Sequence, residues 1–443
     1  MAELIIFKIF MRLQGRLLAH LSALMALYVF APTSASAELN SSQLFERVRP
    51  SVVEVVTQNK ANLGVASAAS GFLTHKNDWV VTNYHAIADA IFEPEEYELR
   101  ITSFDEKGLK LQILAVDIVN DLAILKLESP LKVPLLEIRE ALPKSGELGY
   151  SMGKPGSYQH SIVSGTFNGL QSESVIPNIV FSGPINGGMS GGPTLDAQGR
   201  VVGVNVASST THQLIGLAVP AEALGRLIRK STNQLPMDHG SLLKDISQQI
   251  GAYGSQIAQR LALPTNSIRQ LGPFKVAADL SVNHPCSTTK ISKSDFFYKR
   301  IDQTCNASSG LYVTDEQYAG EIFTRTSWIH SQSISPQHLA RLAEKRLSQL
   351  RGSDDDEAPT GRWHCTEQRL RGQDDIPIQL HACRRPLSGL PGLYDFRFRF
   401  LPLMDGPDVL IVSVGLSGFD NQSAQVVIQR SIRSLSYTPR VKQ

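Results

Sequence analysis

Short runs of valine, isoleucine and leucine, broken every few residues by Gly, Asn, Asp or Ser, dominate positions 51–219. Residues 51–56, 97–101, 162–165 and 201–206 are of this kind, and Leu122–Leu127 is apolar almost without interruption. Runs this short, bounded by turn formers, predict strands, and their close spacing predicts an all-β barrel or sandwich. The period changes at Pro220-Ala221-Glu222-Ala223-Leu224, where a proline opens a helical spacing that carries Leu224, Leu227 and Ile228 through residue 230.

Residues 231–240 contain Asn233, Pro236, Asp238 and Gly240 and read as a linker. Beyond it Leu242, Leu243, Ile246, Ile250, Ile257 and Leu261 predict a broken helical segment. Ser335-Pro336 caps a second helix with Leu339, Leu342, Leu347 and Leu350 on its spacing. Residues 394–401 and 409–414 are strand-like, and 426–435 close as a helix. The expectation is a separate α+β domain over residues 241–443, without internal repeats.

At the N-terminus Lys8, Arg12 and Arg16 precede the apolar run 21–30 and the small residues Ala35-Ser36-Ala37. That is the layout of a signal peptide over residues 1–37, cleaved after Ala37, with Met11 as an alternative start. The run falls short of the roughly 20 residues that span a bilayer, no later segment is apolar enough to do so, and no cysteine follows that would carry a lipid. Export to the periplasm or the medium is expected, with no stable membrane anchor after cleavage.

Composition adds bounds. With 443 residues, 42% hydrophobic and 19% charged, the chain holds two or three folded domains and is not a disordered one. Its formal charge is +2, and removing Lys8, Arg12, Arg16 and Glu3 with the signal segment brings it to zero. Nothing in that balance points to nucleic acid.

Three segments carry chemistry. In Gly187-Gly188-Met189-Ser190-Gly191-Gly192-Pro193, the glycines permit a backbone in which the amides of Gly188 and Ser190 converge where a carbonyl oxygen gains charge, while the Ser190 hydroxyl faces the carbonyl carbon. Alone it is an ordinary glycine-rich turn. Upstream lie Val80-Val81-Thr82-Asn83-Tyr84-His85-Ala86 and Asn120-Asp121-Leu122-Ala123-Ile124-Leu125. A serine hydroxyl needs a base to take its proton, which His85 supplies, and Asp121 holds the imidazole in the right tautomer. Singly, His85 reads as a packing histidine and Asp121 as a turn residue; in the order His, Asp, Ser they form a candidate triad.

With these motifs, and with Ala69-Ser70-Gly71-Phe72-Leu73, Gly199-Arg200-Val201-Val202-Gly203-Val204-Asn205 and Ile215-Gly216-Leu217-Ala218-Val219-Pro220, residues 43–230 resemble the trypsin-like serine endopeptidases of the HtrA (Deg) type. The resemblance implies a chymotrypsin-like fold: two six-stranded antiparallel β-barrels with the triad in the cleft between them, hydrolysing peptide bonds of protein substrates through an acyl-enzyme. No cofactor is implied.

Departures from the family pattern carry expectations too. Val206 replaces a small hydroxyl residue, removing one hydrogen bond to Asp121. Met189 replaces an aspartate, so activation by a freed N-terminus is not expected. Pro184 and Ile185 stand at the base of the primary pocket, so small or aliphatic residues before the scissile bond are favoured over Lys or Arg. No Gly-Leu-Gly-Phe-type loop marks a PDZ domain.

All four cysteines, Cys286, Cys305, Cys365 and Cys383, lie after residue 240. In an exported chain an even number implies disulfides, and of the three connectivities the sequence-adjacent pairs Cys286 with Cys305 and Cys365 with Cys383 are expected. Zinc is the alternative, with His284 and His364 nearby, but no Cys-x-x-Cys spacing supports it. The run Asp354-Asp355-Asp356-Glu357 reads as a solvated loop, with calcium as its alternative. The competing function is a noncatalytic envelope-binding or scaffold protein built on a protease-like barrel.

Overall fold

The computed structural model describes residues 40–438 except 103–106, 155–158, 172–173, 209–213, 263–267, 278–285, 292–296, 307–309, 340 and 343–360. The expected signal segment, Met11, His284, Leu347, Leu350 and the run 354–357 lie outside the described residues.

After helix α1 (Ser41–Val48), the first six strands are β1 (Val52–Asn59), β2 (Val65–Leu73), β3 (Trp79–Thr82), β4 (Tyr97–Thr102), β5 (Lys107–Asp117) and β6 (Leu122–Leu127), with the short helix α2 (Ala88–Phe92) between β3 and β4. They close an antiparallel barrel in the order β1-β2-β3-β6-β5-β4. Every residue of β3 is buried, and Leu122–Leu125 of β6 are fully so. Their continuous apolar runs follow from that two-sided burial.

A second closed barrel, in the order β10-β11-β12-β9-β8-β7, is built from β7 (Leu148–Gly153), β8 (Ser161–Leu170), β9 (Ile179–Phe181), β10 (Pro193–Asp196), β11 (Val201–Ser208) and β12 (Gly216–Pro220). Its interior includes Phe167, Ile179, Phe181, Val202 and Ala218. The two closed six-stranded barrels are the chymotrypsin-like architecture expected. Helix α3 (Ala221–Ser231) follows β12 directly and buries Leu224, Leu227 and Ile228, the residues whose spacing predicted it.

Where a broken helix was expected, the chain forms one continuous helix, α4 (His239–Ala262). The interruption in the apolar pattern at Gly251 and Gly254 is bridged by packing: a Cβ at Gly254 would lie 3.2 Å from the Phe419 ring. Tertiary contact here overrides the weak helix preference of glycine.

The remaining strands are β13 (Ile268–Leu271), β14 (Phe274–Ala277), β15 (Ser287–Ile291), β16 (Lys299–Asn306), β17 (Leu311–Thr314), β18 (Gln317–Ala319), β19 (Glu321–His330), β20 (His364–Arg371), β21 (Pro377–Pro386), β22 (Tyr394–Pro402), β23 (Asp408–Phe419) and β24 (Ser436–Tyr437). They make a seven-stranded sheet in the order β15-β16-β19-β23-β22-β21-β20, a three-stranded sheet β13-β14-β24, and the hairpin β17-β18. Helix α5 (Asn421–Arg433), capped by the Asp420 side chain, packs with α4 and against β23. This is the α+β region expected, and both cysteine pairings are as expected: Cys286–Cys305 and Cys365–Cys383 are disulfides. Ser335 caps the helical turn that carries buried Leu339, accepting from the His338 amide.

The first barrel and the α+β region share one apolar core. It runs from Val53, Tyr84, Ile87 and Ile91 through Ile246, Ile250 and Tyr253 to Val313, Leu416 and Phe419. Polar contacts cross the same boundary: the Gln249 side chain accepts from the Ile118 amide at 3.0 Å and donates to the Val116 carbonyl at 2.9 Å.

Candidate active site

Strands β3 and β6 are antiparallel neighbours with Thr82 opposite Ala123. Residues just after β3 and just before β6 therefore meet at the same end of the barrel. There Asn83 Nδ2 donates to the Asp121 carbonyl at 2.8 Å. Asp121 has a φ of 53°, a left-handed conformation that aspartate tolerates better than most residues. Asp117 stabilises the turn before it, accepting from the amide and the side chain of Asn120 at 3.0 and 2.8 Å.

The Asp121 carboxylate grips His85 twice. Its Oδ1 accepts from the His85 amide at 2.9 Å, and its Oδ2 lies 2.7 Å from Nδ1 of the ring. A proton on Nδ1 satisfies that contact and leaves Nε2 as the acceptor. Burial opposes charging of the imidazole, but the charge and hydrogen bond of Asp121, joined by the charge of Asp315, outweigh it. The His85 pKa is held above its ordinary value.

Ser190 sits in the loop before β10, and two glycines with positive φ shape that loop, Gly188 at 85° and Gly191 at 81°. At Gly191 the reason is also spatial: a Cβ there would come within 2.3 Å of Thr82 Oγ1 and 3.1 Å of the Asn83 amide nitrogen. This close approach sets the serine loop against the segment that leads into His85. The Ser190 hydroxyl donates to the Val206 carbonyl at 3.2 Å, and among the described residues it makes no hydrogen bond to His85. Among the described residues neither the Gly188 amide nor the Ser190 amide donates to another group of the protein. Val206, expected only as a missing hydroxyl, thus enters through its backbone.

Two further residues hold this loop, and the motifs assigned them no role. Ser70 on β2, fully buried, donates its amide to the Ser190 carbonyl at 2.8 Å and its hydroxyl to the Gly188 carbonyl at 2.6 Å. It also accepts from Thr82 Oγ1 at 2.8 Å, so one serine links the His85 strand to the Ser190 loop. Asn205 on β11 donates to the carbonyls of Met152 and Met189 and accepts from the hydroxyls of Ser151 and Thr194. Its backbone pairs with Gly191 and Gly192. A serine between Ala69 and Gly71 in a buried strand was the available signal for the first of these, since a polar side chain buried there needs partners.

Met189 is fully buried, and Ile185 is 2% exposed. A Cβ at Gly216 would lie 2.5 Å from Ile185 Cδ1, so apolar carbon fills the space beside β12 where the pocket base was expected.

The barrels are also the part of the chain that is similar to known proteins. Residues 69–204 match the family model of the trypsin-like peptidase domain. Protease Do-like 1, chloroplastic, from Arabidopsis thaliana is 29% identical over 213 residues, 43% of this chain and 47% of that protein. A probable periplasmic serine endoprotease DegP-like from Pseudomonas fluorescens is 32% identical over 144 residues, 31% of this chain and 29% of that protein. The solved serine endoprotease from Yersinia pestis is 23% identical, with 43% of this chain and 66% of that one covered and a TM-score of 0.38. The chain thus spans about half the length of the Arabidopsis relative. Over its double-barrel part the chain is thus similar to trypsin-like peptidase domains and to the serine proteases that carry them.

Proposed function

We propose that this chain is an exported serine endopeptidase that cleaves proteins, with Ser190 as nucleophile, His85 as general base, Asp121 as the group that orients it, and the amides of Gly188 and Ser190 as the oxyanion hole. The observation that carries the reading is the two-point hold of Asp121 on His85, 2.7 Å to the ring and 2.9 Å to the amide. The unpaired amides beside Ser190 support it.

In this reading the Ser190 hydroxyl turns from the Val206 carbonyl toward His85 Nε2 as substrate binds; catalytic hydrogen bonds commonly form only in the substrate complex. Oγ attacks the scissile carbonyl carbon while its proton passes to Nε2, and the oxyanion is held by the two amides. The C–N bond then breaks as Nε2 returns that proton to the leaving amine. Water, deprotonated by the same nitrogen, hydrolyses the resulting ester and frees Ser190. The periplasmic description of the Pseudomonas relative supports the export suggested by the N-terminal pattern. No helix among the described residues is long and apolar enough to cross a membrane.

A fluorophosphonate probe tests the proposal directly. Labelling at Ser190, lost in Ser190→Ala, is the expected result; an unlabelled protein that still binds envelope components would favour the scaffold reading instead.

A further inference from the structure

The hairpin β17-β18 belongs to the α+β region, yet it packs on the segment that carries His85. Tyr84, fully buried, donates its hydroxyl to the Val313 carbonyl at 3.1 Å. Burial, with the charge of Asp121 behind it, pushes the Tyr84 hydroxyl well above its usual pKa, so it remains a donor. One residue after Tyr84 and one before Val313, the His85 and Tyr312 rings meet edge to face, with centroids 6.0 Å apart and planes at 76°. Tyr312 is itself fixed: its hydroxyl donates to Asp315 at 2.8 Å, and its ring lies against Tyr318 at 5.8 Å.

The hairpin is in turn fastened to the central sheet. The Gly320 amide donates to the Ser417 carbonyl at 2.6 Å, and Ser417 Oγ donates to the Tyr318 carbonyl at 2.7 Å. Leu311, Val313 and Ala319 are buried in the core shared with Tyr84 and Ile87. A floppy covering loop would have neither a buried anchor nor a buried face.

We propose that Tyr312 is a positioning residue for His85, so that the α+β region completes the catalytic site; this rests on the peptidase reading above. Asp121 holds one edge of the imidazole, and Tyr312 limits its rotation from another side. The edge-to-face contact suits an aromatic ring beside imidazole, and its restraint acts on the one group whose orientation both proton transfers need. The ionisable groups that face His85 are Asp121 on the β5-β6 turn, Tyr84 beside it, and Tyr312 and Asp315 on the hairpin.

The test uses the full chain and the variants Tyr312→Ala, Tyr312→Phe and Asp315→Asn. Diethyl pyrocarbonate modification of His85, followed by peptide mass spectrometry across pH, reports the exposure and protonation of the ring whether or not Ser190 is active. The pH profile of kcat and KM on a small chromogenic peptide is measured beside it. Tyr312→Ala is expected to speed modification several-fold and to lower kcat roughly tenfold or more with little change in KM. Tyr312→Phe keeps the ring and is expected to stay near wild type in modification rate. Asp315→Asn, a change at an exposed side chain, is expected to move the modification midpoint to lower pH.

Wild-type modification and kcat in a folded Tyr312→Ala protein would overturn the proposal. If that variant does not fold, an unshifted midpoint in Asp315→Asn overturns the hairpin contact instead. A wild-type chain that cleaves no peptide, while its variants show the expected modification changes, would remove the peptidase reading and leave the contact standing.

Discussion

Asp121 holds His85 by both carboxylate oxygens, one on the ring nitrogen and one on the backbone amide, so the tautomer and the backbone of His85 are set by a single side chain. Replacing that carboxylate by an amide keeps the shape and removes the preference for a proton on Nδ1. Asp121→Asn is therefore expected to lower kcat/KM by about 10⁴-fold while thermal unfolding changes little. Activity within tenfold of wild type, by peptide hydrolysis, would show that another group orients His85.

Ser190→Ala and His85→Ala are each expected to reduce cleavage of an unfolded protein by several orders of magnitude, and the double variant little further, because the members act as one unit. Steady-state assays on the three proteins check this. Additive losses would mean that the two residues serve different steps.

The pH dependence follows from the raised pKa of His85. In the proposed mechanism the base works as the neutral imidazole, so kcat/KM is expected to rise with pH as His85 loses its proton. Its midpoint is expected above the ordinary histidine value of about 6.5. The stability linkage has the opposite sense: charged His85 against Asp121 favours the folded state below the unfolded pKa, and that contribution is lost as pH rises through the folded one. An acid limb centred well below 6.5 would contradict the pairing with Asp121.

Where the pocket base is expected, beside Gly216, the apolar Ile185 offers an arginine side chain no counter-charge among the described residues. Peptides with valine or alanine before the scissile bond are expected to be cleaved faster than the arginine peptide by about tenfold or more. Matched chromogenic substrates decide it, and an arginine preference would place a carboxylate there from another part of the chain.

The parts of this molecule legible in its sequence are those decided by neighbours in the chain. The buried run of β3 followed by Asn83-Tyr84-His85, and the turn at Asn120-Asp121 before β6, announce themselves because each candidate side chain stands next to the strand that places it. The strands of the seven-stranded sheet are less visible. In β19, threonines at 324 and 326 occupy buried positions and blur the alternation, while almost every residue of β20 is exposed. The contact of Tyr84 with Val313 joins residues 229 apart in the chain. Such a pairing leaves no local pattern.

Asn205 satisfies four buried groups with one amide. Asn205→Ala leaves the hydroxyls of Ser151 and Thr194 without their shared acceptor and takes one donor from the Met152 and Met189 carbonyls, of which Met189 keeps the Gly192 amide at 3.1 Å. At about 1–3 kcal/mol for a buried group left unpaired, a loss of about 3 kcal/mol or more in urea unfolding is expected. Fluorophosphonate labelling of Ser190 should slow in the same variant, since the loop loses its clamp. Unchanged labelling in a destabilised protein would confine Asn205 to a structural part.

The disulfides lie at the two edges of the seven-stranded sheet, Cys286–Cys305 joining the start of β15 to β16 and Cys365–Cys383 tying directly opposed positions of β20 and β21. The hairpin that meets His85 is fastened instead to β23, at the middle of that sheet. Each bridge closes a short loop, with cysteines 19 and 18 residues apart, and the chain-entropy estimate assigns about 3 kcal/mol to a loop of that size. Reduction is therefore expected to lower the melting temperature while cleavage of a small peptide, measured well below that temperature, stays near its oxidised rate. The check is a melt and a peptide assay on the same reduced sample. If peptide cleavage falls while the reduced protein is still folded, the edge strands are coupled to the His85 contact through the sheet, and the separation argued here between stability at the edges and catalysis at the centre fails.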